Sequence, residues 1–263
     1  MDTAARIDRL ENQLKLLETY SVAGFWHALD HVYEITLPTR RLRCIVCDHS
    51  DLRSGFGIRT AVCQFGGGQL ERYECPRCDA LFGPQKYLDL AEEFVVADYN
   101  LLYSRYAESD STENERRAFR SLQPTPGSLH LNWGCGEWSQ SIPQLRAEGF
   151  DVWGYEPSAP ESAGHIVKWR GEISAQFDGI FSNNVIEHFR DPVAQFQDFK
   201  SLLKPNASMA HASPCYACHY SATRFHTLFL LGRSPHVLAE RTGFRVESAT
   251  VDGEFINHVF RSL

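Results

Sequence analysis

Two CxxC pairs are the residues of this chain with the clearest potential for chemistry. Cys44 and Cys47 form the first pair, and Cys75 and Cys78 form the second, with 27 residues between the pairs. Four thiolates at this spacing can surround one Zn²⁺ ion as a tetrahedron, and such a closed shell leaves no coordination position for water. The spacing therefore predicts a structural zinc site.

Other thiol and imidazole groups offer alternatives to this ligand set. Cys63 and His49 are reserve ligands, should one of the four thiols not bind the metal. Cys215 and Cys218 form a third CxxC pair, which could be redox-active. Because this pair follows a predicted strand and has no partner pair, we favour ordinary thiols near the mouth of a substrate site.

A glycine turn between a predicted strand and a predicted helix forms a second candidate site. Gly134 and Gly136 flank Cys135 directly after the strand Ser128–Trp133. The first glycine permits an unusual backbone angle, and the second lets a ligand approach the main chain. The turn indicates a ligand at the carboxyl end of this strand, although a purely structural turn remains an alternative.

The neighbours of the turn narrow the choice of ligand. A dinucleotide-binding turn has a third glycine where this chain has Ser139, and Glu137 and Trp138 disfavour a pyrophosphate by charge and bulk. S-adenosylmethionine has no phosphate, and its ammonium group suits an acidic neighbour. Glu156, which ends the next predicted strand 20 residues after Gly136, can accept hydrogen bonds from both ribose hydroxyls. A solvated loop carboxylate is the alternative for Glu156.

Composition limits the function classes that these sites can serve. The 263 residues are 43% hydrophobic and carry a formal charge of −7, which supports a folded core and argues against a nucleic-acid partner. The first nine residues are too polar for a signal peptide, and no segment approaches the roughly 20 apolar residues that span a bilayer. Length and CxxC spacing favour metal ligands and free thiols over secreted disulfides, so we expect a cytoplasmic protein.

The chain divides into four predicted segments. They are an N-terminal helical segment at 1–35, a small zinc-ribbon-like module at 36–84, a helical cap or linker at 85–125 and an α/β domain at 126–263. In the first segment, apolar residues recur at helical spacing up to about Tyr20, at Ile7, Leu10, Leu14 and Leu17. We favour packing of this stripe against its own domain, and a homodimer contact is the alternative.

The last segment alternates predicted strands and helices, which is typical of a mostly parallel sheet covered on both faces. The predicted strands are Ser128–Trp133, Asp151–Tyr155, Gly179–Asn183, Ala207–Ala212, Phe244–Val251 and Glu254–Phe260. The predicted helices are Ser139–Glu148, Val193–Leu203 and Pro235–Thr242. Asp252-Gly253 is a turn signal that predicts an antiparallel hairpin of the last two strands.

Three segments together resemble consecutive motifs of class I S-adenosylmethionine-dependent methyltransferases. They are Leu131-Asn132-Trp133-Gly134-Cys135-Gly136, Gly154-Tyr155-Glu156-Pro157-Ser158 and the run from Phe177 to His188, and the similarity extends over about 128–245. The resemblance implies S-adenosylmethionine as cofactor and a Rossmann-like, mostly parallel seven-stranded sheet with a terminal antiparallel hairpin.

The resemblance also implies which residues hold the cofactor. The glycine turn would line its methionine and ribose, Glu156 would hold the ribose, and Ser182 and Asn183 would lie beside the methionine part. Ile173 and Ser174 would lie near the adenine. The family places Asp where this chain has Asn132, so we expect Glu137 to supply the missing carboxylate.

The methyl acceptor is open at this point. An N-terminal cysteine module also resembles sugar C-methyltransferases, but these have a further large C-terminal domain without a counterpart here. We therefore expect O-methylation of a carbohydrate or nucleotide-linked sugar, with a small-molecule acceptor as the broader class. A ribosomal RNA methyltransferase with a zinc module and a non-catalytic scaffold of the same fold are the alternatives.

Two histidines are candidates for a general base that takes the proton of an alcohol acceptor. His188 follows the cofactor-side motif, and His226 lies before the last helix, where class members commonly place substrate contacts. We favour His226, with Arg224 orienting an anionic substrate by bidentate contact. A structural role is the alternative for each histidine.

Overall fold

The computed structural model describes residues 3–107, 109–136, 139–159 and 164–263. The helices are α1 (Thr3–Thr36), α2 (Gln85–Leu88), α3 (Glu92–Tyr103), α4 (Thr112–Ser121), α5 (Ser141–Ala147), α6 (Pro192–Leu202) and α7 (Ser234–Thr242). The first strands are β1 (Arg41–Arg43), β2 (Ser50–Leu52), β3 (Gly57–Val62), β4 (Gln69–Glu74), β5 (Leu81–Phe82), β6 (Leu129–Trp133) and β7 (Asp151–Tyr155). The remaining strands are β8 (Ile166–Val167), β9 (Phe177–Asn183), β10 (Leu203–Ala212), β11 (Leu228–Phe229), β12 (Phe244–Asp252) and β13 (Phe255–Ser262).

Helix α1 is longer than the periodicity indicates, because apolar residues continue its inner face beyond Tyr20. Trp26 is buried and stacks with Tyr87 of α2, with ring centroids 6.0 Å apart, which fixes the second half of α1 to the rest of the chain. The stripe in the first half behaves differently. Its four members, Ile7, Leu10, Leu14 and Leu17, are 50–63% exposed. The expected packing of this stripe against its own domain is therefore wrong.

The cysteine region forms small antiparallel sheets. Strands β1 and β2 pair with each other, and β3, β4 and β5 form a second sheet that β11 completes at its edge. Leu228 and Phe229 of β11 come from the C-terminal half of the chain and pair with Phe82 and Leu81. The cysteine region and the α/β region are thus joined by a shared sheet.

The large sheet has seven strands in the order β12-β13-β10-β9-β6-β7-β8. Strands β6 to β10 run parallel, and β13 and β12 are antiparallel to their neighbours. Phe196 and Phe199 of α6 pack on one face, while Phe119 of α4 packs against Phe181 on the other. The predicted α/β fold class and its terminal hairpin are confirmed, and α4 belongs with this sheet.

The strand order creates a crevice at one edge of the large sheet. Strand β6 lies between β7 and β9, so the chain leaves β6 in one direction along the sheet and later returns on its other side. Such a reversal opens a space beyond the carboxyl ends of the strands, where open α/β sheets bind ligands. In the described part of the chain, no helix combines the length and the apolar character that a bilayer span requires.

Candidate functional site

A cavity of about 1480 Å³ lies at this crevice. Its floor includes Gly134 after β6, Glu156 after β7 and Asn183 at the end of β9. Residues of α3 and His188 also line it. We call this space the strand-end cavity. It is large enough for a nucleoside-containing cofactor together with an acceptor.

The glycine turn has a backbone that a side chain would disturb. Gly134 and Gly136 have φ angles of +67° and +60°, in the left-handed region that glycine adopts without strain. A Cβ on Gly134 would lie 2.8 Å from Cγ2 of Val185. The predicted roles of these glycines as a cradle are consistent with this geometry.

Glu156 is held at the cavity wall by neutral donors. Its Oε2 accepts a hydrogen bond from the backbone N–H of Gly136 at 3.1 Å. Its Oε1 accepts from the backbone N–H and the hydroxyl of Ser158 at 3.0 and 2.7 Å. The carboxylate is thus oriented beside the glycine turn, where it can accept from a vicinal diol.

Asn183 and Ser182 differ in their relation to the cavity. Asn183 lines it, and its buried Nδ2 makes no hydrogen bond among the described residues, so a donor is available to a ligand carboxylate. Ser182 is fully buried, and its hydroxyl pairs with Nδ1 of His211 at 2.8 Å. Ile173 is buried in the core and Ser174 is exposed, and neither lines the cavity. The structure therefore brings Asn183, and not the other three, to the cavity.

Asn132 lies beneath the cavity, and sequence reasoning missed its main partner. Its side chain is fully buried and donates to Oε2 of Glu115, on α4, at 2.5 Å. Glu115 lines the strand-end cavity. It precedes β6 in a polar helix, and no local sequence signal places it against the glycine turn. Glu137, which we expected to supply this charge, lies outside the described residues.

His188 lines the cavity and is held by two oxygen atoms. Its Nδ1 lies 3.1 Å from the carbonyl oxygen of Phe225 and 2.8 Å from the hydroxyl of Tyr99. With its ring proton on Nδ1, His188 donates to the Phe225 carbonyl, and Nε2 is then the basic nitrogen. His188 is therefore the better placed of the two histidines to meet an acceptor.

His226 is not among the cavity-lining residues. Its Nδ1 lies 3.3 Å from Sγ of Cys215, and burial lowers the pKa of His226 well below its usual range. A carboxylate oxygen of Glu187 lies within 4.8 Å of both groups. Burial also raises the pKa of the Cys215 thiol, so Cys215 is a neutral packed thiol beside His226. The geometry does not support the expectation that His226 is the base.

Arg224 is committed to contacts within the protein. Its guanidinium makes two hydrogen bonds of 2.6 Å to Asp98 of α3 and one of 2.7 Å to the carbonyl of Phe65. The side chain is only 3% exposed and does not line the cavity. Arg224 fixes α3 to the loop before β11, which differs from the expected contact with an anionic substrate.

The four cysteines of the two CxxC pairs come together. The Sγ atoms of Cys44 and Cys78 are 3.6 Å apart, those of Cys47 and Cys75 are 3.5 Å apart, and all four lie within 4.8 Å of one another. We call these residues the four-sulfur cluster. Its donor set and spacing fit a tetrahedral Zn²⁺ site.

Electrostatics within the four-sulfur cluster favour a bound cation. A hydrogen bond from Cys78 lowers the pKa of the Cys44 thiol to about 6, whereas burial raises that of Cys75 to about 12. Buried thiols this close cannot all ionise unless a metal compensates their charge. The reserve ligands lie elsewhere: the Sγ of Cys63 contacts Arg224 at 3.6 Å, and the ring of His49 packs on Phe56.

The cysteine region also supports the histidine site. Arg72 lies on β4, the strand that ends directly before Cys75. It is buried and donates to the backbone carbonyls of Ser221, Thr223 and His226 at 2.5–3.2 Å. These carbonyls belong to the loop whose Phe225 carbonyl holds His188. A folded four-sulfur cluster thus contributes to the orientation of His188.

Fold and site together define a class of protein, the α/β enzymes that bind a nucleoside-containing cofactor at the edge of a mostly parallel sheet. The chain belongs to the S-adenosylmethionine-dependent methyltransferases, because the family model described as "Methyltransferase domain" matches residues 113–249, just over half of its length. A search of curated protein sequences finds no match.

Solved methyltransferase structures are similar to the chain at low sequence identity. The 1,6-didemethyltoxoflavin-N1-methyltransferase of Burkholderia thailandensis, solved with S-adenosylhomocysteine, is 15% identical, with 73% of this chain and 95% of that chain covered and a TM-score of 0.47. The magnesium protoporphyrin IX methyltransferase of Synechocystis is 13% identical, with 65% of this chain and 100% of that chain covered and a TM-score of 0.41. A TehB-like methyltransferase of Corynebacterium glutamicum is 17% identical, with coverage of 68% and 99% and a TM-score of 0.42.

Proposed function

We propose that this enzyme transfers the methyl group of S-adenosylmethionine to a hydroxyl of a carbohydrate. The observation that carries the proposal is that one cavity is lined by His188, by the glycine turn with Glu156, and by polar and aromatic residues of α3. Bound S-adenosylmethionine supplies an electrophilic methyl group on a sulfonium ion. The chain has to hold the two reactants in line and accept one proton.

The α3 wall suits a sugar. Tyr99 and Tyr103 stack on each other with ring centroids 6.1 Å apart, and Asn100 and Ser104 line the same cavity, where the Ser104 hydroxyl donates to the backbone carbonyl of Leu101 at 2.8 Å. Aromatic rings can pack on the C–H face of a sugar while amides and hydroxyls exchange hydrogen bonds with its hydroxyl groups. This combination favours a carbohydrate over a wholly apolar acceptor.

The charges around the cavity argue against a polyanion. The described lining residues include one Lys or Arg, Arg190, and a larger set of carboxylates: Glu92, Glu115, Glu156, Asp191 and Asp198. Arg190 itself donates to Glu92 at 3.1 Å and to the backbone carbonyl of Leu88 at 2.8 Å. Because binding to nucleic acid depends on neutralising phosphates with Lys and Arg, we place an RNA acceptor second.

In this proposal, three of the lining residues have separate tasks. Glu156 accepts hydrogen bonds from the ribose of the cofactor, and Asn183 donates to its methionine carboxylate. His188, through Nε2, takes the proton of the sugar hydroxyl as the methyl group arrives, which is worth about 10²–10⁴ in rate. The four-sulfur cluster holds a structural Zn²⁺ ion and does not take part in the chemistry.

A methyl-transfer assay with isotope-labelled S-adenosylmethionine tests the proposal. The panel contains free sugars, nucleotide-linked sugars, small phenols and ribosomal RNA fragments, each in 50 mM and 200 mM salt. We expect label in a sugar fraction, with little salt dependence because few charges meet. Transfer to RNA that falls steeply with salt would instead establish the alternative, and transfer to phenols alone would also reject the carbohydrate assignment.

A further inference from the structure

Glu115 is a buried carboxylate without a cation. The side chain is 2% exposed, and its known contacts are all neutral donors. Oε2 accepts from Asn132 at 2.5 Å, from Ser141 at 2.5 Å and from Ser139 at 2.7 Å, and Oε1 accepts from Ser111. No ion pair to Glu115 occurs among the described residues. A buried carboxylate in this setting is stabilised strongly when a positive charge joins it.

A second buried acceptor points to the same ligand chemistry. Oδ1 of Asn132 has no hydrogen-bond partner among the described residues, and the whole side chain is fully buried. Buried acceptors in native proteins normally have a donor. Asn132 is on β6, two residues before Gly134; it is fully buried, and Glu115, which it contacts, is the member of the pair that lines the cavity. A group with several N–H donors and a positive charge would satisfy both Asn132 and Glu115.

The position of Glu115 indicates which cation it binds. Glu115 and Ser139 both line the strand-end cavity, and they do so beside the glycine turn rather than along α3. Burial raises the pKa of Glu115, and the hydroxyl donors of the cluster act in the opposite direction. A cation in contact would hold the carboxyl in its charged form.

We infer that Glu115, together with Oδ1 of Asn132, binds the ammonium group of the cofactor's methionine part. This inference rests on the proposed cofactor site and adds a carboxylate that comes from α4, outside the sheet. Glu115, which contacts Asn132, supplies the negative charge that a carboxylate at position 132 would carry. Ser111, Ser139 and Ser141 orient this carboxylate by their hydrogen bonds.

Calorimetric titration with two ligands tests the inference. S-adenosylhomocysteine carries the ammonium group, whereas methylthioadenosine has the same adenosine part and lacks both the ammonium and the carboxylate. We expect Glu115→Gln to weaken S-adenosylhomocysteine by about 10- to 100-fold, the range for hydrogen bonds to charged groups. The affinity for methylthioadenosine should stay within about twofold.

A charge-exchange variant and a matched control complete the test. The double variant Glu115→Gln with Asn132→Asp returns a carboxylate to the same contact and should restore most of the lost affinity for S-adenosylhomocysteine. Glu113→Gln, which removes an exposed carboxylate from the same helix, should leave the affinity for both ligands unchanged. Equal losses of both ligands in Glu115→Gln would mean that Glu115 only supports the fold, and a selective loss of equal size in Glu113→Gln would mean that the effect does not come from the contact of Glu115 with the ligand. Either result overturns the inference.

Two further outcomes remain decisive. If Glu115→Gln does not fold, the double variant, which keeps one buried carboxylate, is compared with the unmodified chain. A retained preference for S-adenosylhomocysteine over methylthioadenosine supports the inference. Loss of this preference rejects it. Binding of neither ligand by the unmodified chain would refute the cofactor site itself. Normal binding with transfer to RNA would refute the carbohydrate proposal and leave this inference standing.

Discussion

His188 shows how a side chain is prepared for proton transfer by contacts that do not involve a substrate. The carbonyl of Phe225 and the hydroxyl of Tyr99 both contact its Nδ1, at 3.1 and 2.8 Å. In the proposed role, the other ring nitrogen, Nε2, takes the proton. The environment of His226 is different. Burial favours its neutral form, and the thiol of Cys215 lies against its ring.

The residue-scale prediction concerns these two histidines. With an acceptor from the panel, His188→Gln should lower kcat by about 10²–10⁴ while the affinity for S-adenosylhomocysteine stays unchanged. A base must be neutral to act, so the rate of the unmodified enzyme should fall as the pH is lowered, and this acidic limb should vanish in His188→Gln.

His226→Gln is the matched control for this prediction. It should keep the acidic limb of the pH–rate profile, because His226 does not line the strand-end cavity. If His226→Gln removes the limb and His188→Gln retains it, the assignment of the base is reversed.

Sequence reasoning located residues whose roles follow from nearby residues along the chain. The glycine turn and Glu156 follow directly after consecutive strands, so their meeting at one sheet edge could be inferred from the alternation of elements. Glu115 could not be found in this way, because its contact with Asn132 depends on how α4 crosses the end of β6. The choice between His188 and His226 likewise depends on the course of one loop in three dimensions.

At the scale of elements, the small antiparallel sheet links the four-sulfur cluster to the loop before β11, whose Phe225 carbonyl contacts His188. Arg72 on β4 holds the loop by backbone carbonyls, and β11 extends the sheet from the other end of that loop. Burial lowers the pKa of Arg72 to about 10, which still leaves it charged at neutral pH. The sequence predicted the cluster but not this linkage, because β11 is only two residues long and has no pattern of its own.

The element-scale prediction concerns the metal. The purified chain should contain one equivalent of zinc, and Cys44→Ser should lose it and lower the melting temperature by on the order of 10 °C, since metal binding at such sites contributes to folding. Methyl transfer should decline as well, because the loop that holds His188 loses its support.

Cys218→Ser removes a thiol outside the four-sulfur cluster and should retain both the zinc and the stability. Metal analysis by mass spectrometry, together with thermal unfolding, measures the three proteins side by side. Less than about half an equivalent of zinc in the unmodified chain, or full zinc in Cys44→Ser, would contradict the prediction.

At the scale of the whole molecule, the order of the strands determines where chemistry can occur. The reversal at β6 places the ends of β6, β7 and β9 around one cavity, and α3 and α4 close it from the side of the N-terminal half. The mostly parallel sheet could be predicted because alternating strands and helices allow few topologies, whereas its seven strands are implied by the resemblance to methyltransferases. The exposure of the apolar stripe on α1 could not, because helical periodicity indicates an apolar face without indicating its partner.

The central claim is that the cofactor lies in the strand-end cavity, and a crystal structure with S-adenosylhomocysteine tests it most directly. We predict density for the ribose beside the carboxylate of Glu156, for the ammonium beside Glu115 and Asn132, and for the sulfur on the side of the cavity that holds His188. Density for the ligand outside this cavity, or a ribose without contact to Glu156, would contradict the account.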